Sequence, residues 1–133
     1  MSKYIHARTA VYNVGYHMVW STKYRKPVLV GEVEQSLKDI MIGVASDNDF
    51  TLREMEVMPD HVHVFVSAHP KYSPSGIYKL LKGVSGRNLF RLHPSIKKSL
   101  WGGALWNPST FTEAVGHISE STVIQYIRGQ KLA

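Results

Sequence analysis

The chain has 133 residues, which is enough for one compact domain and too few for a second. Its net charge of +6 suits a polyanionic ligand such as nucleic acid, and its lack of cysteine excludes disulfides, thiolate zinc sites and a cysteine nucleophile. With 44% hydrophobic and 20% charged residues, the composition is that of a globular protein and not of a disordered one.

The first residues show no targeting signal. They carry Lys3, His6 and Arg8 and lack a long apolar core, so we expect no signal peptide. No apolar run approaches the roughly 20 residues of a membrane-spanning helix. We therefore expect a single domain over residues 1–133, without a membrane partner, in the cytoplasm.

The first half of the chain predicts a strand, a helix and a hairpin. Residues 12–22 are rich in aromatic and β-branched side chains, which favours a strand that ends in the basic segment KYRKP. Residues 32–48 carry apolar side chains at helical spacing. The stretches 50–57 and 61–68 alternate as strands do, and the intervening Met58-Pro59-Asp60 is typical of a turn.

The second half predicts a helix, a strand and a terminal helix. Ser73 followed by Pro74 indicates a helix start, and the apolar periodicity continues to about residue 92. Residues 95–107 predict a loop or short hairpin leading to a strand at about 105–114, and residues 119–128 predict the last helix.

This order of elements predicts the fold class. Strand, helix, strand, strand, helix, strand is the split βαβ, ferredoxin-like arrangement, an α+β fold with helices on one face of an antiparallel sheet. The last helix is an addition to it. Because this fold has many functions, it does not by itself indicate one.

The most specific local feature is His61-Val62-His63 in a predicted strand. Residues two apart on a strand point to the same face, so both imidazoles can bind one divalent metal ion. The alternative is a pair of exposed polar residues on a half-buried strand.

In the terminal helix, polar side chains recur at spacings of three and four: Ser119, Thr122, Tyr126 and Gln130. Tyr126 is the unusual member of this polar stripe. It is either a nucleophile or an amphipathic tyrosine at an interface.

Together, these two segments resemble a known family. The sequences MPDHVH at 58–63 and YIRGQ at 126–130, with VWSTKYRKP at 19–27 and LWNPSTF at 105–111, are similar to those of the single-tyrosine HUH transposases of bacterial and archaeal insertion sequences. The resemblance spans nearly the whole chain.

The resemblance implies a role for each matching residue. His61 and His63 would bind a divalent metal ion, usually Mg²⁺ or Mn²⁺, with Gln130 as a further ligand, and Tyr126 would be the nucleophile. The enzyme would cleave and rejoin single-stranded DNA at the ends of its element through a 5′-phosphotyrosine intermediate.

The resemblance also implies the partners. These are DNA hairpins at the element ends and a second copy of the chain, in a homodimer whose terminal helix completes the metal site of the other subunit. Gly116 and Gly129 are either hinges for that helix or simple caps.

Basic and aromatic residues supply candidate DNA contacts. The basic candidates cluster after the first strand and along the second long helix: Lys23, Arg25, Lys26, Lys79, Lys82 and Arg87. We expect Trp20 in the core, and either base stacking or packing for Trp101 and Trp106. For His17 we expect an ordinary polar strand position.

Two other functions remain open. A metal-dependent phosphoesterase or nuclease would use His61 and His63 to activate water and would need no tyrosine. A non-catalytic nucleic-acid-binding module of ferredoxin-like fold would stack bases on aromatic residues of its sheet.

Overall fold

The structure is a computed structural model that describes residues 14–69, 71–101, 103–115 and 120–130. Its elements are β1 (Val14–Ser21), a 3-10 turn (Lys23–Arg25), α1 (Glu32–Asp47), β2 (Phe50–Met58), β3 (His61–Ala68), α2 (Pro74–Leu92), α3 (Pro94–Ser99), β4 (Phe111–Val115) and α4 (Glu120–Gly129). None of the described helices combines the length and the apolar character needed to cross a lipid bilayer.

The strands form one sheet in the order β2-β3-β1-β4. Every neighbouring pair is antiparallel, so the predicted ferredoxin-like, split βαβ arrangement is confirmed. The hairpin between β2 and β3 turns at Pro59 and Asp60 as expected.

One face of the sheet, which we call the inner face, carries the main core. It presents Met18 and Trp20 from β1 and Val62, Val64 and Val66 from β3, all of them buried. Helices α1 and α2 pack against each other, and their apolar sides complete the same cluster with Leu37, Met41, Ile77, Leu81 and Leu89. Burial of each such side chain stabilises the fold by roughly 1.5–3 kcal/mol.

The start of α2 follows its sequence signals. The Ser73 hydroxyl accepts a hydrogen bond of 3.0 Å from the backbone N–H of Gly76, and Pro74 occupies the first turn. Both features satisfy or remove backbone donors that a helix start leaves without partners.

The segment between α2 and β4 differs from the prediction. Residues 94–99 form the short helix α3, begun by Pro94, and β4 starts at Phe111 instead of near residue 105. The chain before β4 is held by side chains: Trp106 Nε1 donates to Ser85 Oγ at 3.0 Å, and Lys82 Nζ donates to the Asn107 carbonyl at 2.8 Å. The predicted strand near residue 105 is present only as an isolated antiparallel bridge between Trp106 and Thr22.

The opposite face, which we call the outer face, is covered by α4, which packs against β2 and β3. Phe65 of β3 and Ile127 of α4 are fully buried there, and Arg128 forms an ion pair with Glu54 of β2. Gly15 allows the Phe65 ring to approach β1, since a Cβ at this position would lie 2.9 Å from that ring.

Candidate active site

An open cleft of about 350 Å³ lies on the outer face beside α4. Its lining combines residues of β1, the 3-10 turn, β3, the segment before β4, and the end of α4. Those with polar or aromatic side chains that the site uses are Arg25, His61, His63, Phe111, Tyr126 and Gln130. The cleft therefore brings together all four residues predicted to carry the chemistry.

His61 is oriented by the residue before it. Its Nδ1 donates to Asp60 Oδ1 at 2.7 Å, and Arg25 Nε donates to the other oxygen of the same carboxylate at 3.0 Å. Burial raises the pKa of Asp60, but the hydrogen bonds from His61 and Arg25 outweigh it, so the pKa lies below its ordinary value. An ionised Asp60 thus fixes the His61 tautomer that leaves Nε2 without a proton.

His63 is held from behind by a second histidine. Glu113 Oε1 lies 3.3 Å from His17 Nδ1, and His17 Nε2 lies 3.4 Å from His63 Nδ1. With the carboxylate as acceptor, His17 Nδ1 carries the proton, so its Nε2 accepts from His63 Nδ1–H. The two rings are stacked with centroids 5.6 Å apart. The chain Glu113, His17, His63 therefore leaves His63 Nε2 as a lone-pair donor.

His63 is kept neutral by its surroundings. Burial, followed by the positive charges that His61 and His17 carry when protonated, lowers the pKa of His63 to about 4. A neutral imidazole is the form that binds a metal ion.

Tyr126 of α4 faces the histidines. Its ring centroid lies 5.7 Å from that of His63 and 6.2 Å from that of His17, both edge to face. Its side chain is 55% exposed, so the hydroxyl remains accessible to a ligand. Ile127 and Arg128, its neighbours, anchor the helix to the sheet.

Gln130 follows α4 and lines the same cleft. Its amide nitrogen donates to the Tyr126 carbonyl at 3.5 Å, which leaves the amide oxygen as the atom suited to a metal ion. Of the other predicted members of the polar stripe, Ser119 lies outside the described residues, as does the hinge candidate Gly116, and the side chain of Thr122 is not described.

The donor set fits a hard or borderline divalent cation. Two imidazole Nε2 atoms and an amide oxygen leave positions for water and phosphate oxygens. Among the described residues, no three His, Cys, Asp or Glu side chains are placed to hold a metal ion. Gln130 lines the cleft with the two histidines and adds an amide oxygen to their imidazoles.

The predicted DNA contacts fall in two places. Lys23, Arg25 and Lys26 lie on or beside the 3-10 turn, next to the cleft. Lys79 and Arg87 are exposed on α2, in the layer that covers the inner face. All five remain predictions as DNA contacts.

Lys82, the sixth predicted contact, is occupied within the protein. Its Nζ also donates to Thr110 Oγ1 at 2.9 Å, and burial lowers its pKa. Its contact with DNA stays a prediction. In the structure, its hydrogen bonds hold the segment before β4.

Some functional candidates were missed by the sequence analysis. His17 is not an ordinary polar strand residue, because it is buried against His63. Asp60, taken only as a turn residue, orients His61. The position of Asp60 directly before the His-x-His pair could have indicated its contact with His61. The contact of His17 with Glu113 depends on β4 lying beside β1, for which the sequence has no local signal.

Comparison with known proteins gives consistent relatives. The family described as "Transposase IS200 like" matches residues 10–130. The chain is 45% identical to the ISDra2 transposase TnpA of Deinococcus radiodurans over 123 residues, which cover 92% of this chain and 88% of that protein. It is 26% identical to the transposase for insertion sequence element IS200 of Salmonella typhimurium over 119 residues, 90% of this chain and 78% of that protein.

Solved structures agree with these relatives. A candidate transposase from Deinococcus radiodurans R1 has a TM-score of 0.76 and 42% identity, over 94% of this chain and 96% of that one. A REP-associated tyrosine transposase bound to a REP hairpin has a TM-score of 0.67 and 16% identity, over 99% of this chain and 73% of that one, a likeness that concerns the fold alone.

The lowered pKa of His63 predicts an acid-sensitive fold. Below pH 6.5, the unfolded chain binds a proton at His63, while the folded chain does not until about pH 4, so stability falls as the pH drops through this window. Between pH 7 and 4.5 in EDTA, we expect the free energy of unfolding of wild type to fall by about 1–2 kcal/mol more than that of His63→Asn. This figure allows for solvent screening of the imidazole. Urea unfolding measures this difference, and parallel pH profiles for the two proteins would contradict it.

Proposed function

The chain belongs to the IS200-like transposase family, and from this premise we propose that it cuts and rejoins single-stranded DNA through a covalent bond to Tyr126. The family makes it a DNA-cleaving and strand-transfer enzyme. The finer proposal concerns which residues act, and how.

One observation carries this proposal: the half-exposed Tyr126 stands over His63 in the cleft that His61 and Gln130 also line. The two histidines beside Tyr126 both have Nδ1 hydrogen bonded within the protein, so their Nε2 atoms are available to a ligand. A tyrosine with only a structural role would not require such neighbours. The arrangement supports a nucleophile placed beside a site for a metal-bound phosphate.

The reaction balances without an external energy source. Tyr126 Oη gives up its proton and attacks the phosphorus, the bond between phosphorus and the 3′ oxygen breaks, and that oxygen takes up one proton through solvent to leave as a 3′-hydroxyl. The DNA 5′ end then remains joined to Tyr126. In the second step a 3′-hydroxyl attacks the phosphotyrosine, forms a new phosphodiester and releases the phenol.

The residues of the cleft would have different roles in this reaction. His61, His63 and Gln130 would hold Mg²⁺ or Mn²⁺, which supplies Lewis-acid stabilisation of negative charge on the phosphate and orients it for in-line attack. Asp60 and His17 keep the two imidazoles in the ligating tautomer. Arg25 presents a guanidinium at the rim, where it suits a neighbouring DNA phosphate.

We also propose a DNA hairpin and a second subunit as partners. A REP hairpin is bound by one transposase of the same fold, which supports a folded single strand as the ligand here. The homodimer is part of this proposal, and mixed subunits test whether its active site is shared, as the resemblance implies. In the single chain described, however, Tyr126 already lies over its own histidines, so exchange of α4 between subunits is not required to assemble the site.

Tyr126→Phe tests the covalent step. With Mn²⁺ and labelled single-stranded DNA carrying an element end, wild type should give a protein–DNA band on a denaturing gel, and Tyr126→Phe should reduce it by roughly a thousandfold or more because the attacking oxygen is gone. Tyr78→Phe, on α2, is the matched control. His61→Ala should lose cleavage but keep most of the DNA binding.

Two outcomes would contradict this proposal. DNA cleavage that survives Tyr126→Phe would indicate a nuclease that uses water. DNA binding by wild type with no cleavage, under conditions in which the Deinococcus relative cleaves, would indicate a binding module.

Mixed subunits test where α4 acts. A chain with His61→Ala and a chain with Tyr126→Phe are each inactive, and a dimer of the two regains one intact site only if α4 serves the other subunit. The geometry of the single chain predicts no recovery of the covalent band. Recovery would show that α4 exchanges and that the site is shared.

A further inference from the structure

Two large aromatic side chains are left in solvent next to the cleft. Tyr24 of the 3-10 turn is 55% exposed and Trp101, after α3, is 73% exposed. Their ring centroids lie 5.0 Å apart at 58°. The other tryptophans, Trp20 and Trp106, are buried in the core at 2% and 7%, so the exposure of Trp101 is specific. We call Tyr24 and Trp101 the aromatic pair.

Two lysines accompany the aromatic pair. Lys26 Nζ lies 5.0 Å from the centroid of Trp101, and Lys23 Nζ lies 5.3 Å from that of Tyr24. Neither ammonium group forms an ion pair with a carboxylate in the described part of the chain. Exposed aromatic rings beside ammonium groups are complementary to a nucleic acid, which offers flat bases and phosphates at close spacing.

The backbone under the pair is strained. Tyr24, Arg25 and Trp101 have φ values of 61°, 54° and 54°, in the left-handed region that favours glycine. Such conformations are unfavourable for bulky residues and persist where the surroundings enforce them, often at ligand sites. Here, both members of the aromatic pair project from left-handed residues.

The aromatic pair is tied to the active-site cleft. Arg25, adjacent to Tyr24, lines the cleft and hydrogen bonds to the same Asp60 that orients His61. The backbone N–H of Lys23 donates to the Leu105 carbonyl at 2.8 Å, which joins the turn to the segment after Trp101. The turn that carries Tyr24 therefore also supplies a residue of the cleft.

We propose that Tyr24 and Trp101 form a stacking platform for an unpaired base of the single strand that flanks the scissile phosphate, with Lys23 and Lys26 on its phosphates. This inference rests on the proposed function, because it assumes that single-stranded DNA occupies the cleft. Any base can stack on an aromatic ring. The platform therefore increases the affinity for single-stranded DNA without selecting a sequence.

Tryptophan fluorescence tests the platform in the full chain. Trp101 is the exposed tryptophan, so its quenching can be measured while EDTA prevents cleavage. We expect a twelve-residue thymidine strand to quench it and an abasic strand of equal charge to leave it unquenched. Trp101→Ala and Tyr24→Ala should each weaken binding of the thymidine strand by about five- to a hundredfold. Ile42→Ala, 56% exposed on α1, should change nothing.

Several results would overturn the platform. One is unquenched fluorescence while the thymidine strand binds, and another is unchanged affinity in Trp101→Ala. A third is a fall in molecular mass of Trp101→Ala on sedimentation, because the pair would then be a contact between two copies of the chain. A separate reaction of wild type with Mn²⁺ and an element end distinguishes the two proposals. A covalent band there, with no quenching in EDTA, refutes the platform alone, whereas quenching in EDTA with no covalent band there refutes the proposed function alone.

Discussion

The pairing register of β1 with β3 is the constraint on which the site depends. It sets Val19 opposite His63 and Ser21 opposite His61, and successive strand residues point to opposite faces. His17, His61 and His63 consequently share the outer face, while the valines between them are buried under α1 and α2. A slip of one residue would bury the histidines in the core and expose the valines. The free energy of core burial therefore also fixes the positions of the imidazoles.

The outer face is assembled by contacts of a different kind. Asp60 orients His61 from the adjacent turn. The contacts of His17 with His63 and with Glu113 link β1 to β3 and to β4. Tyr126, the proposed nucleophile, lies on α4, which is anchored by the buried Ile127 and by the ion pair of Arg128 with Glu54. Among the side chains described on α4, Ile127 is the one that is fully buried.

The sequence predicted the first three strands, the long helices and the His-x-His pair because each has a local signal: alternation, helical periodicity, a cap or a two-residue spacing. It did not predict that β4 begins at Phe111, because Trp106 and Lys82 act through contacts with residues far apart in the chain. The partnership of His17 with Glu113 likewise exists only once β4 lies beside β1. The roles of Tyr126 and Gln130 came from the family resemblance, and the structure adds their distance from the histidines. The sequence left open whether Trp101 stacks bases or packs inside the protein. The structure shows that it is exposed and has a left-handed backbone conformation.

We propose that Tyr126 itself becomes bonded to DNA beside His61 and His63. Peptide mapping by mass spectrometry, after reaction with single-stranded DNA and nuclease trimming, tests it most directly. We expect one modified peptide, with a nucleotide joined through its 5′ phosphate to the oxygen of Tyr126. A nucleotide on any other residue, or cleaved DNA with a free 5′ phosphate and no modified peptide, would contradict it.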